Sequence, residues 1–181
     1  MGGERLLRTM RRRGWLVLLV LLALALAACQ SPPVDNAGRK ARVAALYAKY
    51  KADFPSVAEI SPKDALELAR QGRLLPIDTR DAAERAVSTL PGAVTPAAYL
   101  ADPGRFGDKV PVAYCTIGYR SGVFAKEAAG KGLMVRNLAE GLLGWLHAGG
   151  GLVDAAGRPV KTAHVYGRSW DLAPLDYRAV W

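Results

Sequence analysis

From Leu74 onward the apolar residues gather into short uninterrupted runs: Leu74 to Asp78, Ala93-Val94, Val110 to Tyr114 and Leu133 to Leu138. Runs this short, bounded by Gly, Pro and polar residues, read as strands buried in a parallel sheet. Pro76 is awkward inside the first, because it gives up one ladder hydrogen bond. Segments of helical character separate the runs, around Ala82 to Ala86, Pro96 to Ala101, Arg120 to Lys131 and Gly141 to Ala148. Two more helices precede them. Arg39 to Lys51 carries Val43, Leu46 and Ala48 among its apolar positions, with basic residues elsewhere. In the other, Ser61 suits the N-cap, Pro62 the first turn and Asp64 the free amides, and Gly72 ends it after Gln71. Short strands alternating with helices predict an α/β fold, a small mostly parallel sheet flanked by helices. Such sheets bind ligands beyond the carboxyl ends of their strands. Asp78 and Cys115 both stand at predicted strand ends.

A different apolar pattern occupies the N-terminus. Met1 to Arg13 is a basic leader, and Trp15 to Ala28 is fourteen residues without a charge. A helix needs roughly 20 residues to cross a bilayer core of about 30 Å, so this stretch fits a secretory signal better than a membrane anchor or a buried helix. Leu26-Ala27-Ala28-Cys29 resembles the lipobox of bacterial lipoproteins, in which the Cys becomes the lipid-modified N-terminus. The expectation is a signal peptide over 1–28, lipidated Cys29 and a tether over 29–38, and attachment to a membrane through the lipid. By the same resemblance Gln30 after Cys29 points to an exported, periplasmic protein on the outer rather than the inner membrane. Arg11-Arg12-Arg13 leaves the export route open.

The remaining organisation follows. A helical extension covers 39–59, the main domain 60–153, and a tail 154–181 with Tyr166, Trp170, Tyr177 and Trp181 packs on it; a partner-binding strip is the other reading of those aromatics. At 181 residues the chain accommodates one domain rather than two. Its formal charge is +9, and five arginines and Glu4 put +4 of that before Cys29, leaving +5 for the rest. That excess favours small anionic substrates. No Lys/Arg run with interleaved aromatics supports nucleic-acid binding. If Cys29 is acylated, Cys115 is the one thiol left. With that thiol and two scattered histidines, His147 and His164, spacing assembles no metal site, and no cofactor is implied.

Val110 to Ser121 (VPVAYCTIGYRS) carries the candidate chemistry. A buried strand delivers Cys115 to a tight turn, and a helix starts near Arg120 or Ser121. Successive backbone N–H groups and the positive end of the helix dipole then face the sulfur and favour its thiolate, the nucleophilic form. Gly118 supplies the positive φ that curls the amides inward. Arg120 adds a permanent cation suited to an oxyanion or a charged sulfur adduct. No spacing brings either histidine to Cys115, which argues against a Cys-His hydrolase.

Residues 60–153 resemble a rhodanese domain. Ile77-Asp78-Thr79-Arg80 matches its I-D-x-R strand end, Glu84 its acidic position, and Leu90-Pro91-Gly92-Ala93 its I-P-G-A. Cys115 to Arg120 matches the active loop C-x-x-G-x-R, and Asn137-Leu138, Gly141 and Trp145 match the motif after the last strand. Three positions depart: Thr89 stands for a His, Arg85 for an aromatic and Glu140 for the first glycine of a G-G pair. The resemblance implies a sulfurtransferase. Cys115 takes sulfane sulfur from a small donor such as thiosulfate or a persulfide, the amides of Thr116, Ile117, Gly118, Tyr119, Arg120 and Ser121 cradle it, and a thiol or cyanide acceptor removes it. A periplasmic thiol protein is one such acceptor. Asp78 and Arg80 are implied to act behind the loop, or to form a structural ion pair. Two rivals stand beside this reading: a non-catalytic module that docks a partner or senses sulfur or redox state, and a phosphatase. Phosphatases sharing this fold place five residues between Cys and Arg; here there are four. The uncharged Thr116, Ile117 and Tyr119 favour thiol-bound persulfides over thiosulfate.

Overall fold

The computed structural model describes residues 34–181. The expected signal peptide, the lipidation site Cys29 and the start of the tether lie outside the described residues. Helix α1 is Asn36–Lys51. It begins three residues before the expected Arg39, because the Asp35 side chain accepts the Gly38 amide at 2.7 Å and caps the first turn. Strand β1 (Glu59–Ile60) follows, then helix α2 (Pro62–Arg70), where Ser61 Oγ accepts the Asp64 amide at 3.1 Å as its sequence predicts. Next come β2 (Leu74–Asp78), α3 (Ala82–Val87), α4 (Pro96–Ala101), β3 (Val110–Tyr114), α5 (Tyr119–Ala129), β4 (Arg136–Leu138) and α6 (Gly141–His147).

The central sheet has the order β1-β4-β3-β2 and is parallel throughout. Strands β2 and β3 run in register from Leu74 opposite Val110 to Asp78 opposite Tyr114, so both deliver their next residues to one edge. Because side chains alternate across a strand, β2 and β3 feed two cores. Leu74, Val112 and Tyr114 join α1, α2 and α6 on one face, while Leu75, Ile77 and Ala113 meet Tyr99, Ala125 and Val135 on the other. The proline in β2 costs no bond to β3. The Thr79 amide reaches Tyr114 across the sheet, whereas the Asp78 amide points the other way, to Val94, and Pro76 shares the orientation of Asp78.

Two expected strands are shorter than their apolar runs. Ala93-Val94 contributes one bridge, Val94 to Ile77. Within Leu133 to Leu138 only Arg136–Leu138 pairs, since Leu133 is held back by the hydrogen bond its amide donates to Ala128 O at the end of α5.

Beyond α6 the chain makes two small ribbons, β5 (Leu152–Val153) against β6 (Pro159–Val160), and β7 (Thr162–His164) parallel to β8 (Arg178–Val180). Ala163, Val165, Leu172 and Ala173 bury their side chains in the core that α1 and α6 share. Arg39 ties α1 to this segment, donating to the Asp171 carboxylate at 3.2 Å and to Ala173 O at 2.9 Å. Among the described residues no helix is long and apolar enough to cross a membrane.

Candidate active site

Cys115 is the first residue past β3, and its side chain is buried. The loop that follows is fixed from beneath by the start of α6: the Leu142 amide donates to Cys115 O at 2.8 Å and the Leu143 amide to Thr116 O at 3.2 Å. That approach requires Gly141. A Cβ there would lie 2.5 Å from Cys115 O and 2.8 Å from Ile117 N, closer than packed atoms come. Gly118 has φ 104°, the left-handed conformation expected of it, and a Cβ on it would strike the Tyr47 ring at 2.7 Å. Asn137 Nδ2 holds the Gly118 carbonyl at 3.0 Å. So disposed, the loop aims the Gly118 N–H at Cys115 Sγ, 3.1 Å away. The Ser121 hydroxyl, buried in the first turn of α5, reaches the same sulfur at 3.7 Å. Sγ therefore meets an amide, a hydroxyl and the start of an 11-residue helix. This arrangement suits a thiolate or its charged adduct. Thr116 and Ile117 are buried in the loop, and Tyr119 is exposed on its rim.

Arg120, expected as a permanent cation suited to an oxyanion or a charged sulfur adduct, is ion-paired in the structure. Its two terminal nitrogens donate to the Glu84 carboxylate at 2.6 and 2.8 Å, and Asp81 lies 3.4 Å away. Glu84 reaches Arg120 because a capping box fixes it at the start of α3, where it also accepts the Asp81 amide at 2.9 Å. Burial works against the Glu84 charge, but the hydrogen bonds from Arg120 and the Asp81 amide prevail and hold the carboxyl below its usual range. For Arg120, burial is likewise outweighed by Glu84, and the guanidinium is held above its ordinary value.

Asp78 and Arg80 form a wholly buried ion pair, with Nη2–Oδ2 at 2.7 Å and Nε–Oδ1 at 2.9 Å. The Tyr114 hydroxyl donates to Asp78, and Arg80 donates to Ser88 O at 2.7 Å. Burial and the Asp78 charge hold the Tyr114 phenol well above its ordinary value. This network clamps the segment carrying Glu84 to the end of β3.

The structure also brings in residues that sequence reasoning missed. His164, on β7, places Nδ1 3.8 Å from Glu84 and accepts the Tyr166 amide at 3.3 Å. His147 instead contacts Leu172 O at 2.8 Å, a packing role. Above Cys115 opens a cavity of about 270 Å³ with Thr116 and Arg120 in its wall. The rest of the wall is aromatic: Tyr50 from α1, Tyr119 from the loop, and Tyr166 and Trp170 from the tail. Larger hollows of about 560 and 580 Å³ do not include Cys115. Among the described residues, no cluster of three or more His, Cys, Asp or Glu side chains forms a metal site.

No protein-family model matches the chain, and no curated protein matches it. Among solved structures it is similar to thiosulfate sulfurtransferase from Pseudomonas aeruginosa, with a TM-score of 0.51 and 18% identity over 68% of this chain and 24% of the other. The fold is rhodanese-like. A rhodanese-related protein from Thermoplasma volcanium is 20% identical, with a TM-score of 0.44 over 53% of this chain and 97% of that one. A protein of unknown function from Rhodopseudomonas palustris, described as a possible tyrosine phosphatase, is 29% identical, with a TM-score of 0.45 over 60% of this chain and 91% of that one.

Proposed function

We propose that the protein is a sulfurtransferase that carries sulfane sulfur on Cys115. The observation behind this reading is the Sγ environment: one amide at 3.1 Å, one hydroxyl at 3.7 Å and a helix start converge on a thiol at the floor of a cavity. In the first step the Cys115 thiolate attacks the outer sulfur of a donor. With a persulfide RS–SH the S–S bond breaks, RS⁻ leaves, and Cys115 becomes the persulfide. With thiosulfate the leaving group is sulfite. In the second step an acceptor thiolate or cyanide takes the outer sulfur, and Cys115 returns to thiolate. No oxidant or reductant is consumed, and splitting the transfer through a covalent adduct is ordinary nucleophilic catalysis. Four residues between Cys115 and Arg120, and an Arg120 already bound by Glu84, favour a single sulfur over a phosphoryl group.

The same proposal places the protein outside the cytoplasm, anchored through lipid on Cys29, with a small sulfur compound as donor and a periplasmic thiol protein among its acceptors. The support is the leader, apolar run and lipobox in that order. Thiocyanate formation from cyanide and a persulfide donor tests the activity: wild type turns over and Cys115→Ser does not. A protein inactive with every donor, yet binding a partner equally well with either residue at 115, is a docking or sensing module instead.

A further inference from the structure

We propose that the cavity over Cys115 selects a carbon-bound persulfide whose carrier is uncharged and aromatic, gripped by a collar of Tyr50, Tyr119, Tyr166 and Trp170. This rests on the sulfurtransferase reading and names the donor class for that site. The collar is assembled ring on ring. Tyr50 stacks on Trp170 with centroids 6.0 Å apart, meets Tyr119 edge-on at 5.4 Å, and Tyr166 stands edge-on to Trp170 at 6.4 Å. Three of the four rings come from α1 and from the segment after β7, outside the sheet and loop that make the nucleophile.

Tyr166 shows that the collar does more than pack. The residue is 63% exposed, yet its backbone is held at φ 68°, a left-handed conformation that a bulky residue rarely adopts. The neighbouring Val165 amide donates to Val180 O and the Tyr166 amide donates to His164 Nδ1, and these hydrogen bonds hold it there. From that conformation Tyr166 lines the cavity over Cys115, and residues held in such sparsely populated regions cluster at ligand sites.

The charges in the wall favour an uncharged carrier over an anionic one. Arg120 is the one charged side chain in the cavity wall, and Glu84 and Asp81 already oppose it with two carboxylates, while the Tyr166 ring lies 5.4 Å from the guanidinium carbon. A dianion entering here finds no unpaired cation in the wall. A neutral aromatic body finds four ring faces and edges. Size agrees, since a cavity of about 150 Å³ accommodates benzene and this one, at about 270 Å³, leaves room for the persulfide. The chemistry is the first step above: Cys115 thiolate attacks the outer sulfur of ArCH₂S–SH, the S–S bond breaks, and ArCH₂S⁻ departs between the rings.

The test compares rates of sulfur loading on Cys115 of the intact folded protein, by rapid-quench mass spectrometry, with methyl, benzyl and 4-carboxybenzyl persulfides. Benzyl persulfide is expected to load roughly tenfold faster than methyl persulfide. The added carboxylate is expected to erase most of that gain. Trp170→Ala and, independently, the exposed Tyr166→Ala are each expected to bring the benzyl-to-methyl ratio toward one. Loading with a ratio near one in wild type, or a ratio that neither variant changes, overturns the aromatic selection while leaving sulfur transfer intact. No loading from any of the three donors overturns both readings.

Discussion

The guanidinium of Arg120 lies against the carboxylate of Glu84 at 2.6 and 2.8 Å, across 36 residues of sequence. The cation in the loop is thus paired before any substrate arrives, and its first task is to hold loop and α3 together. Glu84 is buried and Arg120 is 28% exposed on its side chain, so the pair is only partly screened by water.

Glu84→Gln leaves Arg120 facing only the exposed carboxylate of Asp81, 3.4 Å away. A loss of about 2 kcal/mol in unfolding free energy is expected, less than for a fully buried pair because Arg120 retains solvent. Urea denaturation at neutral pH measures it.

The same pair gives stability a pH dependence. The Glu84 carboxyl is held below its ordinary value in the folded protein, so the unfolded chain binds its proton more readily. Its contribution is therefore fully present above the ordinary carboxylate range of about 4.3 and is lost as pH falls through the lower, folded value. Unfolding free energies of wild type and Glu84→Gln are expected to converge as pH drops below about 4. A difference that persists unchanged into that range contradicts the assignment.

Removing the hydroxyl nearest the nucleophile should slow the chemistry while sparing the fold. Ser121→Ala is expected to lower the rate of sulfur loading about tenfold, equivalent to about 1.4 kcal/mol, because it deletes one of the two donors at Sγ. Its unfolding midpoint should move little by comparison.

Glu140 occupies a left-handed position with φ 62°, where the related motif carries glycine. Burial also raises its carboxyl above the ordinary range. Glu140→Gly is expected to stabilise the protein by about 1 kcal/mol through relief of the backbone strain, read as a higher denaturant midpoint.

Cys29→Ala is expected to abolish incorporation of labelled fatty acid in a bacterial host and to release the protein from the membrane fraction. Equal labelling of both forms contradicts the lipid anchor.

Much of this architecture was legible along the chain. Strands β2 and β3 are five apolar-rich residues each, long enough to declare themselves, and the Gly118 turn announced its positive φ through residue type alone. Strand β1 was not legible, because two residues carry no periodicity. Asp78 and Arg80 were named from a motif, but only the fold shows Tyr114 and Ser88 closing their network. The pairing of Arg120 with Glu84 was not legible, because Glu84 is distant in sequence and its capping role on α3 is local to that helix. The aromatic collar was hidden for the same reason. Tyr50 and Trp170 meet only after the tail has crossed the domain, and nothing in the spacing of either segment points to the other. Interactions set by one element were readable; those set by the meeting of distant elements were not.

The central claim is that the Cys115 loop holds a transferable sulfur. Intact mass spectrometry after brief exposure to a persulfide donor, followed by peptide mapping, addresses it most directly. The account predicts one added sulfur atom on Cys115, removed on addition of cyanide and absent in Cys115→Ser. An unmodified Cys115 thiol under conditions that load free cysteine would contradict it.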